Sequence, residues 1–171
     1  MRPPPVVFHG GPRAFRKFSA SHRGGMGGAI GYWFASDCLA AAHFARPRFD
    51  GEAEVIVRAT LSIDNPAVFD GWDDFVAARR PYLDRPLEAG LKAVRRSLAR
   101  RGHDGIVIRN STSDSGIKRD DWVAFHRNQI HVLSVRPMPG GCDERIGNPH
   151  RRRGRKVLLG VAAAGVGIVL L

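Results

Sequence analysis

Two aspartates, Asp120 and Asp121, stand directly before Trp122-Val123-Ala124-Phe125. Near the other end of the chain His9-Gly10-Gly11 follows Val6-Val7-Phe8, and the aromatic run Tyr32-Trp33-Phe34 follows Gly31. A carboxylate at the start of a strand can face the positive charge that develops on a sugar ring as a glycosidic bond breaks. Holding a hydroxyl of that sugar orients its anomeric carbon, and an aromatic face offers flat apolar area to a flat ring. Ser36, two residues past Phe34, adds a hydroxyl to the same segment. Each feature has a plain structural meaning as well: a His-Gly pair ends a strand, an aromatic run fills a core, and an acidic pair opens a strand at a solvated turn. Their order along the chain, more than any one of them, points to a site. With the period of two of a strand, Asp121, Val123 and Phe125 share one face and Asp120 and Trp122 the other, so only one acid can enter a cleft.

The elements that must position these groups follow from pattern. Val6-Val7-Phe8 predicts a short apolar strand with His9 at its end and a turn at Gly10-Gly11-Pro12. Gly24-Gly25-Met26-Gly27-Gly28 predicts a flexible loop, either a plain linker or one whose bare backbone N–H groups approach a phosphate. Gly31 to Ala35 predicts a strand, and Ser36-Asp37 a cap for an alanine-rich helix from Cys38 to Ala45. Between Glu52 and Leu61, Val55, Val57, Ala59 and Leu61 alternate with Glu54, Arg58 and Thr60 as in a half-exposed strand, ended by Asp64-Asn65-Pro66. Asp70 predicts the cap of a helix running through Arg79. Pro86 opens another in which Leu87, Leu91, Val94 and Leu98 form one stripe, Gly102 stops it, and Lys92, Arg95, Arg96 and Arg100 face away. Gly105 to Ile108, Trp122 to Phe125 and Gln129 to Leu133 predict further strands, with a polar loop from Ser111 to Gly116. Strands that do not alternate regularly with helices give an α+β class with largely antiparallel sheets.

The 171 residues hold one core comfortably. A shift in composition predicts a domain over 1–134, a basic Pro/Gly/Arg-rich linker over 135–156 and an apolar segment over 157–171. The formal charge is +11, of which +5 falls from Val135 onward. Such a surface attracts nucleic acid, anionic lipid or a phosphorylated ligand. Cys38 and Cys142 are too few for a disulfide scaffold and have no neighbouring ligand cluster, so no metal site is indicated and a reducing, cytoplasmic setting is expected. No apolar leader precedes Val6. At the other end Arg151-Arg152-Arg153-Gly154-Arg155-Lys156 runs into fifteen residues without a charge. As a helix these span about 22 Å at 1.5 Å per residue, short of the ~30 Å hydrocarbon core. Three alternatives stand: a short tail anchor whose basic collar contacts anionic lipid from the cytoplasmic side, the start of a longer span, or a buried C-terminal helix.

Taken in order, the His-Gly strand end, Gly31-Tyr32-Trp33-Phe34-Ala35 and Asp121-Trp122-Val123-Ala124-Phe125 resemble the three-part signature of the ADP-ribosyltransferase fold. That signature is a strand ending His-Gly, a Gly-x-Tyr-Phe-Ala strand leading into a helix, and a late strand opening on an acid. Asn65-Pro66, the run from Arg101 to Ile108, and Phe125 followed by Asn128-Gln129-Ile130 are similar to features of a branch found in the large polyvalent proteins of phages and mobile elements. The likeness covers Val6 to Leu133. It implies split, mostly antiparallel sheets with inserted helices, and an NAD+-dependent enzyme of the poly(ADP-ribose) polymerase-like His-Tyr-Glu type, here His-Trp-Asp. Such an enzyme cleaves the bond between nicotinamide and ribose and passes ADP-ribose to an acceptor, without a metal.

What the resemblance implies about individual residues is specific. His9 contacts the adenosine ribose, Gly10 presents its backbone to the nicotinamide amide, Trp33 stacks on nicotinamide and Ser36 reaches the amide. Arg13, Tyr32 and Phe44 complete the expected NAD+ contacts, and Asp121 with His9 forms the catalytic pair. Two positions depart from the pattern, since Trp33 replaces the stacking tyrosine and Asp121 the usual glutamate. The aspartate is one carbon shorter, about 1.5 Å of reach, so mono-ADP-ribosyl transfer, NAD+ hydrolysis and inactivity all stay open, with long polymers least expected. The acceptor is a macromolecule or small molecule of unspecified kind. A different class stays open beside the enzyme: a basic module that binds nucleic acid or anionic membrane, in which the NAD+ pocket is vestigial.

Overall fold

The computed structural model of the protein describes residues 3–4, 6–11, 17–19, 26–44, 55–112, 116, 118–137 and 142. Arg13, most of the expected linker and the apolar segment 157–171 lie outside the described residues.

In chain order the elements are β1 (Val7–Gly11), β2 (Tyr32–Ala35), α1 (Cys38–Phe44), β3 (Val55–Leu61), β4 (Pro66–Phe69), α2 (Trp72–Ala77), α3 (Leu87–Arg100), β5 (Gly105–Thr112), β6 (Lys118–Ala124) and β7 (Ile130–Pro137). The strands form one seven-stranded sheet in the order β4-β5-β6-β2-β1-β3-β7. Its neighbours are antiparallel except β4 and β5, which run parallel through Pro66↔Gly105 to Phe69↔Ile108. The architecture is therefore α+β with a mixed sheet. Among the described residues, no helix is long and apolar enough to cross a membrane.

The sheet has a seam. β1 pairs with β3 from Val7↔Ala59 to Gly11↔Val55, but meets β2 at the single register pair Phe8↔Ala35. Gly10 and Gly11 are thus strand residues opposite Ile56 and Val55, where the sequence predicts a turn. On the far side of the seam β2 pairs with β6 along its whole length, from Tyr32↔Ala124 to Ala35↔Asp121. Gly31 permits the close approach at the start of β2: a Cβ there would lie 2.4 Å from the Ala124 carbonyl oxygen and 2.7 Å from Val123 Cγ1.

Both faces of the sheet are covered. On one, Val7, Tyr32, Phe34, Val57, Trp122 and Ala124 pack with Phe18. On the other, Ile106, Ile108, Val123 and Phe125 take the apolar stripe Leu91, Val94 and Leu98 of α3, together with Phe75 of α2. The helix α3 ends as its sequence predicts. Gly102 has φ 86°, and the N–H groups of Gly102 and His103 return to the carbonyls of Ala99 and Leu98 at 3.0 and 3.1 Å, the two bonds of a Schellman motif. Beyond it, the Asp104 carboxylate accepts from the N–H groups of Asp64 and Asn65 at 2.8 and 2.9 Å. Gln129 Nε2 donates to the carbonyls of Asp104 and Ser62 at 2.8 and 3.2 Å. The Asn65, Asp104 and Gln129 positions in the family-like pattern are therefore occupied in joining three turns.

Several expectations are corrected. In β3 Val55, Val57, Ala59 and Leu61 are buried and Arg58 and Thr60 partly exposed as predicted, but Ile56, on that second face, is fully buried against Ala40 and Ala41 of α1. Asp64-Asn65 leads directly into β4, a strand the sequence pattern does not predict, because four residues are too few to show a period. Asp70 does not cap α2, whose N-cap is Gly71, at φ 106° and ψ 173°. β7 extends to Pro137, opposite Val55, so the expected linker start at 135 falls inside a strand. Cys38 and Cys142, too few for a disulfide scaffold and expected in a reducing setting, are joined as a disulfide with Cα atoms 5.6 Å apart, which ties the start of α1 to the chain beyond β7. Asp37 caps α1 as predicted, its Oδ1 accepting from the Ala40 N–H at 2.9 Å.

Candidate functional site

Asp121 lies mid-strand in β6, flanked by Ala35 of β2 and Ile108 of β5, and only 4 % of its surface is exposed. One carboxylate oxygen accepts from Arg119 Nε at 2.6 Å, the other from the Ser111 hydroxyl at 2.6 Å. Arg119 is two residues earlier in the same strand and therefore on the same face. Ser111 reaches that face through a bulge. The register passes from Ile108↔Asp121 to Ser111↔Arg119, three residues on β5 against two on β6. Asn110, at φ 52°, absorbs the extra residue. Without the bulge Asn110, not Ser111, would stand opposite Arg119.

The chain of bonds continues outward. Ser111 Oγ accepts from the indole N–H of Trp72 at 2.5 Å, since an indole only donates and the carboxylate only accepts. The Trp72 ring lies on Trp33, 5.6 Å between centroids and 7° between planes. Phe75 stands edge-on to both tryptophans. The arrangement is a half-buried aromatic pair leading through one hydroxyl to a buried carboxylate that is neutralised by a guanidinium. It sets aromatic area near a buried carboxylate whose charge Arg119 balances.

The other expected residues are placed differently. His9 pairs with Val57 in β1, and its ring packs 5.2 Å from Phe18 and 5.6 Å from Phe34, on the face opposite Trp33 and Asp121. Its Nδ1 lies 2.8 Å from the Trp33 carbonyl oxygen. A carbonyl cannot donate, so Nδ1 carries the proton and the imidazole bridges the seam. Tyr32 is 2 % exposed, edge-on to Phe18 in the core, and does not share the face of Trp33. Ser36 extends the β2–β6 ladder: its N–H donates to the Asp120 carbonyl at 2.9 Å and its hydroxyl accepts from the Asp120 N–H at 2.9 Å. Phe44 is the last residue of α1, and Gly10 lies within β1. The structure thus brings together Trp33 and Asp121, adds Trp72, Ser111 and Arg119, and leaves His9 and Tyr32 across the sheet. Asp120 is partly buried and accepts from the Asn110 N–H at 3.2 Å, outside this cluster.

Arg119 was within reach of the sequence, because a basic residue two positions before an acid in a strand shares its face. Ser111 and Trp72 were not, since they arrive through a bulge and through a packing contact 39 residues distant. No protein-family model matches the chain, and no curated protein is significantly similar to it.

Proposed function

We propose that the protein is an NAD+-dependent ADP-ribosyltransferase in which Asp121 supplies the carboxylate and Trp33 the stacking face for nicotinamide. The observation that carries this is the path from the stacked Trp33–Trp72 pair through Ser111 to Asp121, which sets a buried, ion-paired carboxylate beside an aromatic surface. The bond between nicotinamide and the ribose C1′ breaks, an acceptor nucleophile bonds to C1′ and loses its proton, and nicotinamide leaves. With water as acceptor the same step is NAD+ hydrolysis. Asp121 stabilises the positive charge on the ribose in the transition state more than in the ground state, which is the condition for acceleration. Arg119 and Ser111 fix the carboxylate's orientation, so little reorganisation is needed when that charge develops.

Nicotinamide release from NAD+ by the full chain, with mass spectrometry of candidate acceptors for the gain of one ADP-ribose, is the test. NAD+ returned intact from every mixture overturns the enzyme. A specific observation favours a second function in that event: Lys92, Arg96, Arg100 and Arg101 are exposed on or just after α3, a basic face suited to nucleic acid or anionic lipid.

A further inference from the structure

Trp72 occupies the flat face that Trp33 would offer to a ligand. At 7° and 5.6 Å the two indoles are in direct offset contact, with no space for a third ring between them. Yet Trp72 is 41 % exposed and rides on α2, a helix of six residues with no side-chain cap. The residue before it, Gly71, has φ 106° and ψ 173°, where a Cβ would meet nothing within 4 Å. Glycine is needed there for backbone conformation and not for space. Asn110, the left-handed residue of the β5 bulge, ties down the same turn by donating from Nδ2 to Asp70 Oδ1 at 3.0 Å. The indole N–H of Trp72 is bound to the hydroxyl that holds Asp121, so one displacement of Trp72 uncovers both the Trp33 face and the Ser111–Asp121 pair.

We propose that Trp72 is a displaceable cover, its indole turning off Trp33 at the first residue of α2 while Phe75 keeps the helix anchored in the core, to admit a planar heteroaromatic ring of the nicotinamide class onto Trp33; this rests on the NAD+ function above. The covered form lowers apparent affinity by the fraction of molecules that are open. Calorimetric titration of the full chain with NAD+ compares the parent, Trp72→Ala and Trp72→Phe. Trp72→Ala binds about tenfold more tightly, and Trp72→Phe, which keeps a ring but loses the bond to Ser111, falls between. In the parent, saturating NAD+ speeds hydrogen exchange of the Trp72 indole N–H, which leaves Ser111 as the ring turns. That measurement and the Trp72→Phe titration decide the matter should Trp72→Ala not fold. NAD+ binding by the parent with no gain in either variant, or with slower exchange at that N–H, overturns the cover while leaving the NAD+ site standing. Binding by none of the three overturns the NAD+ site and the cover with it.

Discussion

The side chains of Arg119 and Asp121 are 4 % and 6 % exposed, and their 2.6 Å contact is a buried ion pair rather than a surface one. Asp121→Asn keeps the shape of the side chain but leaves the guanidinium buried without the carboxylate. Removing one partner of a buried pair costs ~3–5 kcal/mol, a large share of the ~5–15 kcal/mol that holds a typical domain together. For a chain of this size each kcal/mol lowers the melting temperature by about 2–4 °C, so Asp121→Asn should melt roughly 6–20 °C below the parent. The double variant Arg119→Met/Asp121→Asn should recover most of that loss, because replacing both charges avoids the stranded one. Thermal and urea denaturation of the parent, both single variants and the double variant close the cycle. Nicotinamide release, measured where all four are folded, separates the two roles of the carboxylate. If Asp121 acts in catalysis, turnover stays lost in the double variant although stability returns. Turnover that returns with stability means the carboxylate only holds the fold. An Asp121→Asn protein that melts within 2 °C of the parent would refute the buried-pair argument itself.

Two further outcomes follow from the packing. Gly31→Ala places a Cβ against the Ala124 carbonyl, a backbone atom that cannot step aside, and should destabilise by ~1–3 kcal/mol or more in chemical denaturation; an unchanged midpoint would mean that β2 and β6 are not in such close contact. Cys38→Ser opens a covalent loop spanning 104 positions and should cost ~4–5 kcal/mol on the chain-entropy account. A reductant should lower the parent's stability by the same amount and leave the variant's unchanged.

Much of the fold was legible because it is local. The period of two in β3 and β6, the stripe on α3 and the glycine that ends it are written in consecutive residues. The parity that separates Asp121 from Asp120 is of the same kind, and in the structure the first is buried and the second only partly so. What was illegible is set by pairing between distant segments. Pro66-Ala67-Val68-Phe69 is a strand because β5 lies parallel to it, and nothing inside those four residues says so. Parity fixes which residues of β1 share a face, but not how β1 meets β2 across the seam, so nothing local contradicted the family resemblance when it put His9 and Asp121 in one pocket. The bulge at Asn110 decides that Ser111 meets the carboxylate, and a bulge is a property of two strands together.

Trp33 is where the separated parts meet. Its carbonyl oxygen takes the His9 proton donor from across the seam, while its ring carries Trp72 on the opposite face. The β6 ladder holds the Trp33 backbone on one side through Trp33↔Val123, and the His9 bond adds a tie on the other, where β1 and β2 share one register pair. Under the proposed function, His9 acts on the site through Trp33, without sharing a surface with Asp121. Orientation errors of ~1 Å at a reacting centre can cost about a hundredfold in rate. A residue that fixes the stacking ring from behind can thus matter to turnover as much as one that touches the substrate. His9 is joined to Trp33 by a hydrogen bond, Trp33 to Trp72 by stacking, and Trp72 through Ser111 to Asp121, with Arg119 on the carboxylate's other oxygen.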